Sequence, residues 1–154
     1  MVDLMSVSIG IAAVSVVIGV VFAVLELRNV VKQRQTDLVM RLYSTFGDKE
    51  FRNEYNKILD LEFQDYDDYV EKHGLEGVIA VGVFFEGIGV LLHRKLIDIG
   101  LVTQLFRQST KLMWERAKPI INGMRKQYDQ PRWGEFFEYL YNEMQRREQP
   151  LTKI

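Results

Sequence analysis

The run from Leu4 to Leu25, LMSVSIGIAAVSVVIGVVFAVL, has no charged side chain and constrains this chain more than any other feature. As an α-helix it would be roughly 33 Å long, enough to cross a hydrocarbon core of about 30 Å. Its Leu, Ile, Val and Phe side chains together favour insertion by roughly 4–8 kcal/mol on the biological insertion scale. The core helix of a water-soluble protein would show polar residues on a solvent face, and this run has no such face. A cleavable leader would have a basic start and a shorter apolar stretch of about 7–15 residues. Here Met1, Val2 and Asp3 precede the run, and Glu26, Leu27 and Arg28 follow it. Residues 1–27 are therefore expected to span a membrane. Lys and Arg collect on the cytoplasmic side of such helices. With Arg28, Lys32, Arg34 and Arg41 after the run and only Asp3 before it, the N-terminus is expected outside and the bulk of the chain in the cytoplasm. Inside the run, Ser15, Gly19 and Ala23 recur every fourth residue and share one helix face. Small residues let helices approach closely, so this face is where self-association or docking on a partner helix is expected.

No Gly/Ser or Pro linker follows. Leu27, Val31, Leu38, Leu42 and Phe46 continue at helical spacing with Arg, Lys and Gln between them, which predicts an amphipathic stalk over 28–47. Gly47 reads as a left-handed stop after the last helical residue, and Asp48 as the N-cap of a helix with Phe51, Tyr55, Ile58 and Leu59 on one face. The acidic stretch EFQDYDDYVEKHGLE places Asp65, Asp67 and Glu76 at positions 1, 3 and 12 of a calcium loop. Tyr69 and Val70 stand where such a loop needs a ligand and a glycine, so a short helix capped near Asp65 and stopped at Gly74 is expected instead.

The second apolar run, GVIAVGVFFEGIGVLL from Gly77 to Leu92, is short for a membrane crossing and carries Glu86 near its middle. Crossing again would also put Arg94, Lys95, Arg107, Lys111, Arg116 and Lys118 on the outer side. Periodicity alone leaves a buried strand open. The expectation adopted is the central helix of a bundle, surrounded by the others, with Gly82, Gly87 and Gly89 at close contacts. Asp98 should cap a helix holding Leu101, Val102, Leu105, Phe106, Leu112 and Met113, broken or kinked by Pro119 near Ala117 or Lys118. A shorter piece from Ile120 to Tyr128 follows. Pro131 should then open a last helix with Trp133, Phe136, Phe137, Leu140 and Tyr141 inward. Trp114 and Trp133 read as core anchors.

The chemistry available to this chain is narrow. It has no cysteine and only two histidines, His73 and His93, neither with a second ligand at i+3 or i+4. A haem on His93 would lack a second axial ligand. Phosphate-binding and nucleophile-elbow motifs are absent. No enzymatic activity, metal or cofactor is therefore expected, and a net charge of −1 argues against nucleic acid as a partner. Locally the charge is uneven: net +3 over 28–47, −6 over 48–76 and +4 over 93–118, read chiefly as solvated faces. Glu86 is the polar residue that stands out, because a carboxylate in an apolar helix must be neutralised, paired or hydrogen-bonded. A partner such as Arg116, or a backbone amide, is expected to hold it and fix helix register.

The stretch ELRNVVKQRQTDLVMRLYSTFGDKEFRNEY resembles the opening of prokaryotic proteins grouped as domain of unknown function 4760. There a membrane helix passes into an LR…Q stalk and a short helix near a D-x-E-F-R turn. FFEGIGVLLHRKLID, TKLMWERAKPII and QPRWGEFFEYLYNE resemble that family's core helix, its Trp-Glu-Arg helix before proline and its closing aromatic helix. The likeness runs from about Leu25 to Glu143, with Phe85, Glu86, Trp114, Glu115, Arg116 and Trp133 matching the pattern, and brings no catalytic role with it. It implies an all-helical, membrane-anchored prokaryotic protein, and it supports a helix over Gly77–Leu92.

The expected fold is all-α. A transmembrane helix (1–27) continues into the stalk (28–47), followed by a small cytoplasmic bundle (48–145) and a frayed tail (146–154). The expected role is that of a single-pass membrane protein acting by protein contacts, as an accessory, scaffold or regulatory subunit, with membrane lipid and a protein partner or second copy as its neighbours. The alternative is a membrane-anchored sensor or ligand-binding module with a pocket near Glu86.

Overall fold

The computed structural model describes the backbone of residues 4–148 and the side chains of residues 11–147. Among the described residues it is all helical, with six helices and no strand. The chain divides into two compact units, Met1–Asp37 and Leu38–Ile154. The first unit is helix throughout its described residues, the greater part of α1 (Leu4–Gly47). From Ile11 to Leu27 its large apolar side chains are exposed, Phe22 by 68%. The hydroxyl of Ser15 donates to the Ile11 carbonyl at 2.9 Å, so even this polar group is satisfied within the helix.

The second unit begins inside the stretch read as stalk. Val39 is fully buried, and Phe46 sits among the rings of Phe51, Tyr55, Phe84 and Phe106 at centroid distances of 5.4–6.0 Å. Gly47 is the last residue of α1, but its φ is not left-handed, unlike that expected of a glycine stop. The helix ends because Asp48 turns extended. Its carboxylate accepts from the amides of Glu50 (2.9 Å) and Phe51 (3.3 Å), capping α2 (Lys49–Asp60). Tyr55 and Ile58 of α2 are buried, with Phe51 and Leu59 partly so.

The acidic stretch makes a short helix, α3 (Tyr66–His73), capped by Asp65 and stopped at Gly74 with φ 69°. Asp65 accepts from the Asp68 amide, and Asp68 in turn accepts from the Gln64 amide, each at 2.9 Å. These carboxylates are occupied in holding the turn. Gly123 lets α3 lie close on the later helix α5 (Ile99–Gln127), since a Cβ there would fall on the ring of Tyr66.

The second apolar run is a helix, α4 (Glu76–His93), with Val78, Val81, Phe85, Ile88, Gly89 and Leu92 buried. It is not surrounded, because Val83 is 64% exposed. Of the three glycines expected at close contacts, only Gly89 makes one: a Cβ there would fall 2.0 Å from the Phe136 carbonyl oxygen. Around Gly82 and Gly87 the space is open.

α5 (Ile99–Gln127) starts at Asp98, whose side chain accepts from the Leu101 amide at 3.0 Å. It runs unbroken through Pro119, so the expected break and the separate piece from Ile120 are not formed. Proline in a helix interior costs about 3 kcal/mol. On both sides of it Met113, Trp114, Ala117, Ile120, Ile121 and Met124 are buried. Each larger side chain among them contributes about 1.5–3 kcal/mol, which outweighs the proline. Pro119 itself is exposed, so water can serve the carbonyl that loses its donor. Leu112, expected inward, is 41% exposed.

The last helix, α6 (Glu135–Glu148), begins later than Pro131. Residues 131–134 form turns, with Trp133 N donating to the Gln130 carbonyl and Glu135 N to that of Arg132, both at 3.1 Å. Gly134, at φ 69°, then redirects the chain into the helix. Phe137, Leu140 and Met144 of α6 are buried. Phe137 stacks on Phe85 at 4.8 Å and meets Trp114 edge-on at 5.0 Å, joining α4, α5 and α6. Arg146, Arg147 and Glu148, expected to fray, continue α6; residues 149–154 of that expected tail lie outside the described residues.

Candidate functional site

A polar arrangement that draws on α4, α5 and α6 lies where α6 begins. A helix starts with amides that have no partner inside it. Usually a Ser, Thr, Asp or Asn at the N-cap accepts from them. Here that place is taken by Gly134, which has no side chain. Glu86 of α4 supplies the acceptor from another helix: Oε2 accepts from the Phe137 amide at 2.7 Å and Oε1 from the Phe136 amide at 3.2 Å. The carboxylate also faces the positive end of the α6 dipole. A charge in an apolar helix is thereby compensated by two amides and a helix terminus.

Arg125 of α5 holds the same turn from the other side. Its Nε donates to the Trp133 carbonyl at 2.8 Å, Nη2 to Oε2 of Glu138 at 2.8 Å, and Nη1 to Oδ1 of Asn122 at 3.3 Å. Arg132 on the turn pairs with Glu135. That exposed pair raises the Arg132 guanidinium and lowers the Glu135 carboxyl, through the hydrogen bond between them before charge.

Beside this turn α4, α5 and α6 leave an apolar hollow of about 270 Å³, lined by residues including Ile79, Gly82, Val83, Met124 and Trp133, with Glu86 at its edge. Ligand pockets typically enclose about 300–1,000 Å³. The hollow therefore accommodates a small apolar group. Trp133, expected inward, is 37% exposed on its rim and stacks on Tyr128 at 5.9 Å. Trp114 is the anchor expected, at 3% exposure.

The structure does not bring Glu86 and Arg116 together, and both are half-buried rather than buried. The Nε of Arg116 donates to the Ile58 carbonyl at 3.4 Å, and its guanidinium stands 4.5 Å from the Phe63 ring centre. It ties the end of α2 and the following loop to α5. His73 and His93 are exposed, His73 against Tyr69 and the Glu62 carbonyl, His93 against Phe136 and Tyr139. No group of three or more His, Asp or Glu among the described residues is arranged to hold a metal. Burial raises the Tyr55 hydroxyl, which donates to the Ser109 carbonyl at 3.0 Å, and likewise raises Tyr69.

On α1, Ser15, Gly19 and Ala23 are all exposed, and the space around Gly19 is open. Arg28, Lys32 and Arg34 follow, also exposed. α1 is long and apolar enough to cross a membrane. Sequence reading missed Arg125 and Gly134. Glycine after Trp133 was a visible signal for a turn. Nothing in the spacing of Arg125 showed that it would reach the Trp133 carbonyl.

No curated protein and no solved structure matches the chain. The model of the family described as domain of unknown function (DUF4760) matches residues 13–144. Most of the chain lies within that match, and the chain belongs to this family.

Proposed function

We propose that the chain is a single-pass membrane protein whose helical bundle acts through contacts with other proteins, as an accessory, scaffold or regulatory subunit of a larger membrane assembly. One observation carries the reading: from Ile11 to Leu27 α1 offers large apolar side chains to its surroundings with nothing covering them. Lipid accommodates such a surface and water does not. The cations after Leu27 favour an orientation with the N-terminus outside and the bundle in the cytoplasm. Washing native membranes with alkaline carbonate should leave the chain in the pellet, and protease added to sealed cells should spare the bundle. Extraction in mild detergent should co-purify stoichiometric partners or a second copy. Because the space around Gly19 is open, Gly19→Leu fits the isolated helix and tests whether the Ser15–Gly19–Ala23 face makes the contact. A chain released by carbonate, or one that runs alone as a monomer, would refute the proposal.

A second reading, a ligand-binding module, draws on the hollow beside Glu86. Both Glu86 oxygens already accept from amides, so a ligand there would rely on apolar contact. A ligand that raises the melting temperature of the wild type but not of Gly82→Leu, which fills the hollow, would favour it.

A further inference from the structure

Directly after the uncharged run, Arg28 and Lys32 stand four residues apart on one face of α1, with Val24, Leu27 and Val31 beside them around a shallow hollow of about 350 Å³. Both cations are exposed, and neither has an ion-pair partner among the described residues. Glu26 is the nearest acid in sequence, but residues two apart on a helix do not face each other. At 1.5 Å per residue, Arg28 lies about 4.5 Å beyond Leu25 and Lys32 about 10 Å beyond. The headgroup layer of one leaflet is roughly 5–7 Å deep, and a lysine stem reaches back several ångströms. Both charges therefore fall at phosphate depth when Leu25 marks the edge of the hydrocarbon. The apolar neighbours continue the greasy surface up to that level.

From this juxtaposition we infer that the Arg28–Lys32 face of α1 binds the headgroup of an anionic phospholipid, with Val24 and Leu27 against its acyl chain. The inference rests on α1 lying in a membrane and adds a lipid class to that reading. A guanidinium takes phosphate oxygens through two parallel N–H donors, and the ammonium adds a point charge. A zwitterionic headgroup offers the same phosphate with its own cation attached, so net charge discriminates between the two.

The test uses the full chain in a neutral detergent, with phosphatidylglycerol and phosphatidylcholine supplied in equal amounts and retained lipid counted by native mass spectrometry. One basic side chain near an anionic surface is worth about fivefold in binding, so the wild type should prefer phosphatidylglycerol by on the order of 25-fold. The double variant Arg28→Gln, Lys32→Gln should lose most of that preference, while Arg28→Lys, Lys32→Arg should keep it. A large excess of inorganic phosphate should leave the ratio unchanged. Equal retention of both lipids by the wild type, an unchanged preference in the Gln variant, or displacement by inorganic phosphate would each overturn the inference. All variants are also reconstituted into vesicles of either lipid and washed with carbonate. Failure of every variant to stay in vesicles of either composition would instead overturn the membrane reading beneath it.

Discussion

Removing the Glu86 carboxylate should loosen the start of α6 before anything else in the bundle. In Glu86→Ala the amides of Phe136 and Phe137 lose acceptors now at 3.2 and 2.7 Å, in a part-buried place with Gly134 unable to replace them. A hydrogen bond to a charged group contributes about 1.5–3 kcal/mol, and a charge at a helix N-terminus about 0.3–1 kcal/mol. The two bonds share one carboxylate and the 3.2 Å one is the weaker, so the whole loss is set at about 2–4 kcal/mol rather than at the sum of the upper values. For a bundle of this size that corresponds to a fall in melting temperature of roughly 10–20 °C. Glu86→Gln keeps one acceptor oxygen but turns an NH2 toward the other amide, so its loss should be about 1–2 kcal/mol. The assay is thermal unfolding of the full chain followed by tryptophan fluorescence, together with hydrogen exchange at Phe136 and Phe137. Stability should fall in the order wild type, Gln, Ala, with exchange accelerating first at those two amides. If Ala and Gln melt with the wild type, or if their exchange at Phe136 and Phe137 is unchanged, the trans-helix cap contributes nothing.

Other positions carry their own expectations. The hydroxyls of Thr103 and Thr110 are buried without a hydrogen-bond partner in the structure; Thr110→Val removes one at nearly constant shape and should stabilise by about 1 kcal/mol, read from the urea midpoint. Gly89→Ala drives a Cβ into the Phe136 carbonyl and should cost several kcal/mol, as an order of magnitude for core overpacking, whereas Gly82→Ala meets open space and should gain about 1 kcal/mol of helix propensity. Asp68 is held below the usual carboxylate range by its hydrogen bond to Lys72 and then by the Gln64 amide. A carboxyl lowered in the folded state contributes stability above its unfolded value near 3.8, and that contribution is lost as pH falls through the lower folded value. The α3 lead-in should therefore loosen on the acid side of about pH 4, seen as an NMR titration of Asp68 and absent in Asp68→Asn.

Much of this fold is legible because its signals are local. Asp48, Asp65 and Asp98 each cap the helix that follows, and their side chains need only the next three residues to do so. The Leu4–Leu25 run is equally local, since its length and lack of charge hold whatever else the chain does. The proline rules failed where packing outweighed them. Pro119 lies in a helix that continues without a break through it, with buried residues on either side, and Pro131 sits in a turn that Gly134, not proline, converts into α6. Leu112 and Trp133 misled for a related reason, because a residue type shows what it prefers to bury but not which face the neighbouring helices leave open.

The site at the start of α6 shows where reading from sequence stops. That an acid in GVIAVGVFFEGIGVLL must find a partner follows from the cost of an unpaired charge, and a backbone amide was among the partners foreseen. Which amide was not legible, because Phe136 and Phe137 lie some fifty residues away and become available only once Gly134 has made a helix start with no cap of its own. Gly134 and Glu86 are two halves of one device. The glycine allows the left-handed turn and forfeits the cap, and the acid restores the cap while joining α4 to α6 beside the close approach at Gly89. This coupling also accounts for a carboxylate in the middle of an apolar helix without assigning it chemistry, since both of its oxygens are occupied by the fold. With both oxygens so placed, Glu86 is accounted for by the joint between α4 and the start of α6.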